Sequence, residues 1–450
     1  PLFTRFGDIR LGGKDAKPLL TRWQWFSITL CTTVAIGILF WATAEPLYHL
    51  TAPPTSLGIK PNSPEAARFA MSTMYMHWTF TPYAIYTVPS LMFAYAFYNR
   101  KQPYSLKATI SPLLPTRLKN ATWLGESLDA ICLYSLVAGM AASLGTGMIT
   151  LAGGFGYFVG WKTTPLLLAI VGICIVAAFC ISSATGLLKG IRILSDLNVR
   201  IFILMFFFVC ITGPTTFILR FGVESFGQYI DTFFKMNLMT GAMPQDKWAQ
   251  SWSVFYWAVW MAWAPITAMF LGHIARGYTV REFVVFNWIL PSFFSVLWMA
   301  AFSGTTLHMT MIQKLGLQEV LSTKGPNALI YSLFSHLPWS SFMIVVFLIA
   351  AFLSYVTAAD SNTTAMAALS SQGISAESTE TSLIPKLAWG LSIGGVAWVM
   401  TSSAGIDGIK MLSNLGGLPA LFLLIFISIA LCVTMYKHRF YNEQDEDTES

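Results

Sequence analysis

The residues with the most distinctive chemistry are aromatic. In the stretch His77-Trp78-Thr79-Phe80-Thr81-Pro82-Tyr83-Ala84-Ile85-Tyr86, a turn of about 100° per residue places Trp78, Tyr83 and Tyr86 within an arc of about 140°. In the stretch Phe255 to Trp263, Trp257, Trp260 and Trp263 follow at three-residue steps on one helical face. Two such faces turned together make a cage. An anion would want Arg or Lys, and an ordinary ammonium would want acceptors for its N–H groups. A quaternary ammonium has no donors and a diffuse charge, so ring faces suit it, at up to about 2 kcal/mol or more per desolvated contact. Any one of these rings alone is better read as packing or as part of an interfacial belt. Six of them beside segments rich in helix breakers point to a site.

Other reactive groups are sparser. Glu45, Glu126, Asp129 and Asp360 border apolar runs. Carboxylates inside a membrane are functional suspects, but at the ends of spans these four are expected to cap helices or pair with loop arginines. His77 is read as a hydrogen-bonded packing residue and not as a proton carrier. The hydroxyl-rich run Val356 to Thr364 offers the oxygen ligands that a hard cation such as sodium uses. There Thr357 could complete a site made by backbone carbonyls of a broken first helix; a Ser/Thr-rich helix end satisfying its own backbone is the equal alternative. The glycines between Ser143 and Gly156 lack the Lys-Ser/Thr of a phosphate loop and are expected to let helices approach closely. The six histidines are scattered, and the six cysteines show no paired spacing, so no catalytic constellation, zinc site or disulfide framework is expected.

The elements that must carry these residues follow from composition. Of 450 residues only 11% are charged, 55% are hydrophobic, and mean hydropathy is +0.60. These values exclude an ordinary water-soluble enzyme, a disordered chain and a nucleic-acid binder, and describe an all-α integral membrane protein. Runs long enough to cross about 30 Å of hydrocarbon predict ten spans: 24–45, 68–98, 124–152, 164–187, 201–220, 251–275, 282–305, 338–360, 385–402 and 413–436. Lys and Arg divide 18 to 9 in favour of the side holding both termini, which predicts both termini in the cytoplasm. Ten spans split as five plus five, and an odd number per half inverts the second half relative to the first. The expected organisation is therefore a cytoplasmic arm 1–23, a first five-helix repeat 24–220, an outer amphipathic connection 221–250, a second repeat 251–436 and an acidic tail 437–450. In such repeats the first helix of each half is commonly interrupted, and breakers occur at Ala35-Ile36-Gly37 and at Trp263-Ala264-Pro265 with Gly272.

These residues resemble the betaine/choline/carnitine transporter family. The segment Phe255 to Pro265, followed by Ile274-Ala275-Arg276-Gly277-Tyr278-Thr279-Val280-Arg281-Glu282-Phe283, is similar to the family's most specific signature. Phe40-Trp41 with Ala44-Glu45-Pro46, the His77 to Tyr86 stretch, Ser143-Leu144-Gly145, Gly190-Ile191-Arg192 with Ser195-Asp196, and Thr357 to Ser361 add to it. The resemblance implies a leucine-transporter-type core, a homotrimer in the cell's inner (plasma) membrane in contact with lipid, and no enzymatic activity. Family members normally have two helices before this core, and these are expected to be absent here. The resemblance further implies an onium cage of Trp78, Tyr83, Tyr86 and Trp260 with Trp263 on the same path; Tyr83 replaces a common Trp, and Val259 stands where a Trp usually precedes Trp260. It implies one sodium ion, held by the carbonyl of Val34 and its neighbours and by Thr357. The second sodium site is expected to be lost at Leu136 and Met140, and the residues that replace sodium in the family's antiporter correspond to Asn198 and Thr267. The expected activity is sodium-coupled import of betaine, choline, carnitine or trimethylamine N-oxide, with sodium-independent exchange as the alternative and a membrane-embedded enzyme or channel as remote ones.

Overall fold

The computed structural model describes all residues except 35, 185–188, 243–244, 372–373, 375–381 and 450, and gives no side-chain surroundings for 184 and 439–449. Thus Ala35 of the expected breaker, the end of the expected span 164–187 and the acidic side chains of the tail lie outside the described residues. The described residues form helices and no strand; one isolated bridge pairs Arg10 with Thr279. The principal helices are α1 (Arg22–Val34), α2 (Gly37–Thr51), α3 (Pro64–Trp78), α4 (Phe80–Ala94), α5 (Thr122–Val159), α6 (Pro165–Ala184), α7 (Lys189–Thr212), α8 (Thr215–Asp231), α9 (Ser253–His273), α10 (Val280–Met311), α11 (Ser340–Leu369) and α12 (Leu383–Glu449).

Among the described residues, seven helices are long and apolar enough to cross a membrane, or eight when α1 and α2, bent by 51° to one another, count as one span. The difference from ten arises in two places. The stretch expected as the single span 68–98 is broken into α3 and α4 at Thr79, whose φ of −120° and ψ of −117° are not helical. Pro82 supplies the reason, because it has no N–H to give the carbonyl of Trp78. The last two expected spans, 385–402 and 413–436, lie on either side of Gly405 in α12, where φ 54° and ψ −130° interrupt the helical path.

Two further expectations are corrected. The fifth span is not 201–220: α7 begins at Lys189 and stops before Gly213-Pro214, and residue 220, expected to close the first repeat, falls inside α8. Lys189, Arg192 and Arg200 fall between the expected spans 164–187 and 201–220, yet Arg192 and Arg200 are exposed on a helix whose other face, Ile191, Ser195, Asn198 and Val199, is buried. Nor is α9 interrupted at Pro265, which lies inside a continuous helix. A proline removes one N–H, here the donor to the Met261 carbonyl, and a helix held by its neighbours tolerates that loss.

At the centre α9 packs against α4, α5 and α12, with α1 and α11 alongside. Hydrocarbon offers no hydrophobic reward for helix association, so close approach at small residues must supply it. A Cβ built on Gly272 would stand 2.8 Å from the Ser90 carbonyl oxygen and 3.1 Å from the Ala94 nitrogen, and one on Gly417 would stand 2.5 Å from the Ala258 Cα. Backbone cannot yield as a side chain tip can. Gly272→Ala and Gly417→Ala should each cost about 1–3 kcal/mol of overpacking, read as a lowered melting temperature in detergent. Gly227→Ala, with nothing within 4 Å of the new carbon, should leave the melting temperature unchanged or raise it.

Candidate functional site

Helices α2, α3, α4, α5, α9 and α12, with the end of α1, surround a cavity of about 60 Å3. This is several times the roughly 10–15 Å3 that a cavity needs to hold one water. Seven rings line it: Trp41, Trp78, Tyr86, Phe255, Tyr256, Trp260 and Trp263. Thr33, Ser143, Thr146 and Ser413 add hydroxyls, and no described lining residue is charged.

Of the expected cage residues, Trp78, Tyr86, Trp260 and Trp263 face this cavity. Trp260 is the centre of the set. Its ring meets Trp78 edge-on at 5.5 Å and Tyr86 at 5.6 Å, and its indole N–H donates to the His77 carbonyl at 3.0 Å. Tyr83 does not line the cavity; it stands 6.4 Å from Trp260 and hydrogen-bonds the Ser295 hydroxyl at 3.0 Å. Trp257, also expected on this face, turns edge-on to His77 at 5.8 Å. Tyr256, one turn before Trp260, takes its place, as a helix period of 3.6 would allow and a strict three-residue step does not. The indole of Trp263 rests on Gly139, and that of Trp78 on Gly37.

The oxygens expected to hold sodium lie on neighbouring helices. Val34 ends α1 and lines the cavity. Thr357, buried in the middle of α11 and not at its end, donates its hydroxyl proton to the Leu353 carbonyl at 2.8 Å, which leaves its lone pairs free to accept. Asn198 on α7 donates to Ser354 at 3.1 Å and to the Cys31 sulfur at 3.6 Å, while its Oδ1 is buried with no hydrogen-bond partner. Through its Nδ2 Asn198 thus reaches Ser354, one turn before Thr357 on α11. Thr267 donates to the Asn362 amide oxygen at 2.7 Å, and the Met140 carbonyl accepts from Tyr355 at 3.0 Å.

The carboxylates divide. Asp129 accepts from Ser105 and the Leu106 N–H, an end-capping role of the expected kind, and Glu126 is exposed. Asp360 is buried on α11 and accepts from Ser182 and Ser183. Glu45 overturns the expectation of a cap or a loop ion pair, because it is fully buried inside α2. One oxygen meets His77 Nδ1 at 2.6 Å and His49 Nε2 at 3.0 Å; the other accepts from Trp78 Nε1 at 2.8 Å and the Tyr256 hydroxyl at 2.5 Å. A Glu and a His four apart share one helix face, and that spacing in an otherwise apolar segment was the available signal.

An all-helical membrane fold around an uncharged aromatic cavity defines a carrier for a small solute. Residues 2–440 match the family described as betaine/carnitine/choline family transporter, and the chain belongs to that family. It is a multi-pass membrane transporter and not an enzyme. It is 28% identical to an ectoine/hydroxyectoine transporter of Virgibacillus pantothenticus, over 99% of this chain and 87% of the relative. It is 31% identical to a betaine/ectoine transporter of Corynebacterium glutamicum, over 95% of this chain and 67% of the relative. It is 29% identical to an osmo-dependent choline transporter of Acinetobacter baylyi, over 95% and 62%. A solved structure of a Na+-coupled sialic acid symporter in a substrate-bound outward-open state shares the fold at a TM-score of 0.53, with 11% identity over 91% of this chain and 79% of that one.

The glycine contacts generate a prediction about the rings. A Cβ on Gly37 would lie 2.8 Å from Trp78 Cη2, whereas one on Gly147 would meet only the Ile36 side chain, at 3.5 Å and beyond. Gly37→Ala should push the Trp78 indole off Glu45 and change the near-ultraviolet circular dichroism of the protein; Gly147→Ala should not.

Proposed function

We propose that this transporter imports a small solute with a methylated or otherwise delocalised cationic head, of the betaine, choline, carnitine or trimethylamine N-oxide kind, by alternating access and in symport with sodium. The observation that carries the reading is the cavity itself: seven rings around a space of about 60 Å3 with no charged lining residue. Trp78, Tyr86, Trp260 and Trp263 would enclose the head, with Tyr83 behind Trp260. The relatives named for betaine, choline and ectoine support the solute class, since ectoine too carries a spread-out positive charge.

Sodium would be held by the Val34 carbonyl, Thr357 and the free Oδ1 of Asn198, and the Na+-coupled neighbour supports that choice of ion. An ion bound between α1, α7 and α11 would fix the end of α1 that lines the cavity, so the two affinities are reciprocally linked. We further propose ten spans in two inverted repeats, with α3 and α4 as one span and α12 as two, both termini in the cytoplasm, a location in the inner membrane and assembly as a homotrimer. The two glycine-flanked and proline-flanked breaks, near Gly37 and at Thr79, are the kind of interruption such transporters place beside their sites.

Intrinsic tryptophan fluorescence, titrated with glycine betaine, choline, carnitine, trimethylamine N-oxide and ectoine with and without sodium, tests the reading. At least one solute should bind in the micromolar to millimolar range, sodium should tighten it, and Trp260→Ala should weaken it by about tenfold or more, as expected for a lost cation–π face and its packing. Equal binding by Trp260→Ala removes the cage from the mechanism. Thr357→Ala and Asn198→Ala should each raise the sodium concentration required for half-maximal uptake; undiminished counterflow in sodium-free vesicles would select exchange instead.

A further inference from the structure

Glu45 stands outside the cavity lining but is joined to it twice. Its Oε2 accepts from Trp78 Nε1 and from the Tyr256 hydroxyl, and both of those rings line the cavity, 5.3 Å apart and inclined at 70°. The partners on its other side assign the protons. The Trp248 indole can only donate, so His49 Nδ1, at 3.2 Å from it, is an acceptor and the His49 proton sits on Nε2, facing Glu45. His77 presents Nε2 to the Ser253 hydroxyl at 3.2 Å and Nδ1 to Glu45. Taking the Ser253 hydroxyl as the donor to His77 Nε2 leaves both imidazoles neutral, and an ionised Glu45 then accepts four hydrogen bonds.

With this proton assignment the cluster carries one negative charge, on Glu45. Among the described residues, the cation that interacts with it is Lys410 on α12, whose ammonium is not on the carboxylate but over the Trp252 ring at 4.6 Å and the cavity-lining Phe255 ring at 5.4 Å, and which interacts with Asp407 as well. A metal ion between Glu45, His49 and His77 would need lone pairs on the two nitrogens that hold these protons. What the charge does face, across two rings, is the cavity.

We infer that Glu45 is the counter-charge of the cage, exerted through Trp78 and Tyr256, and that it makes the cavity select a positive head over a neutral one of the same shape. A carboxylate accepting the N–H and O–H of two aromatic rings pushes electron density into them, and in a medium of low dielectric its field reaches beyond them. The rings thus supply the surface, and Glu45 the sign. The inference rests on the onium reading proposed above and adds to it the residue that sets charge preference. Glu45 is a positioning residue in this account, because it never touches the solute.

The test uses pairs of solutes that differ only in a nitrogen replaced by carbon: glycine betaine against 3,3-dimethylbutanoate, and choline against 3,3-dimethylbutan-1-ol. Affinities are measured on the purified full-length protein by tryptophan fluorescence and by competition for uptake in vesicles. The wild type should prefer the member with the cationic head in at least one pair. Glu45→Gln, which keeps the shape and one acceptor oxygen, should reduce that preference by about tenfold or more, in line with the loss of a full charge at low dielectric, while 3,3-dimethylbutan-1-ol, the uncharged analogue of choline, binds as before. Tyr256→Phe, which keeps the ring and cuts its link to the carboxylate, should reduce the preference in the same direction by a smaller factor. If Glu45→Gln aggregates on gel filtration, Tyr256→Phe alone decides. A preference unchanged in the folded variants, or a parallel loss of both members of a pair, overturns the inference while leaving the cage in place; a wild type that prefers neither member overturns the onium reading and the inference together.

Discussion

A carboxylate taken out of water must have its lone pairs filled, and in this protein that requirement organises the site. Moving such a group into a low-dielectric interior costs several kcal/mol, and charge-assisted hydrogen bonds of about 1.5–3 kcal/mol each are what offset it. Glu45 receives four of them, from its own helix (His49), from α3 (His77 and Trp78) and from α9 (Tyr256). Three helices are thereby tied at one point. The outer nitrogens of the two histidines are occupied in turn by Trp248 and Ser253, so the network has no free end through which the rings could turn. Trp78 and Tyr256 line the cavity with their polar ends anchored on Glu45.

Close packing does the rest of the positioning. Where a soluble protein would press helices together by excluding water, a membrane protein needs small residues that let surfaces meet. Gly272 brings α9 onto the backbone of α4, and Gly417 brings α12 onto α9 at Ala258. Gly139 and Gly37 do the same for side chains, giving Trp263 and Trp78 flat seats against α5 and α2. The glycines thus determine how far apart the rings stand, and the hydrogen bonds determine which way they face.

Much of this was legible in the chain. Apolar runs located most of the membrane-crossing helices, because a lipid-facing helix must advertise its length in hydropathy. The aromatic faces around Trp78 and Trp260 also stood out, since rings at helical spacing need no knowledge of neighbours. What escaped depended on contacts between distant segments. Pro265 looked like a breaker and Pro82 did not, although only the latter coincides with a broken helix. The charged start of α7 fell between two expected spans because Arg192 and Arg200 could only be placed on an exposed face once the opposite face was known to be buried. Glu45 was set aside as a helix end because its four donors come from residues 32 to 211 positions away as well as from His49, and hydropathy carries no trace of such partners.

The break at Thr79 and the cage are two sides of one arrangement. A broken helix in hydrocarbon exposes backbone carbonyls that have to be satisfied locally. The carbonyl of His77, in the last turn of α3, is met by the indole of Trp260 at 3.0 Å. Trp260 therefore serves the break with its N–H and lines the cavity with its ring. It cannot swing out of this position without uncovering the His77 carbonyl. Because His77 also bonds Glu45 through its ring, the carboxylate, the break and the ring at the centre of the cavity are joined by one chain of hydrogen bonds.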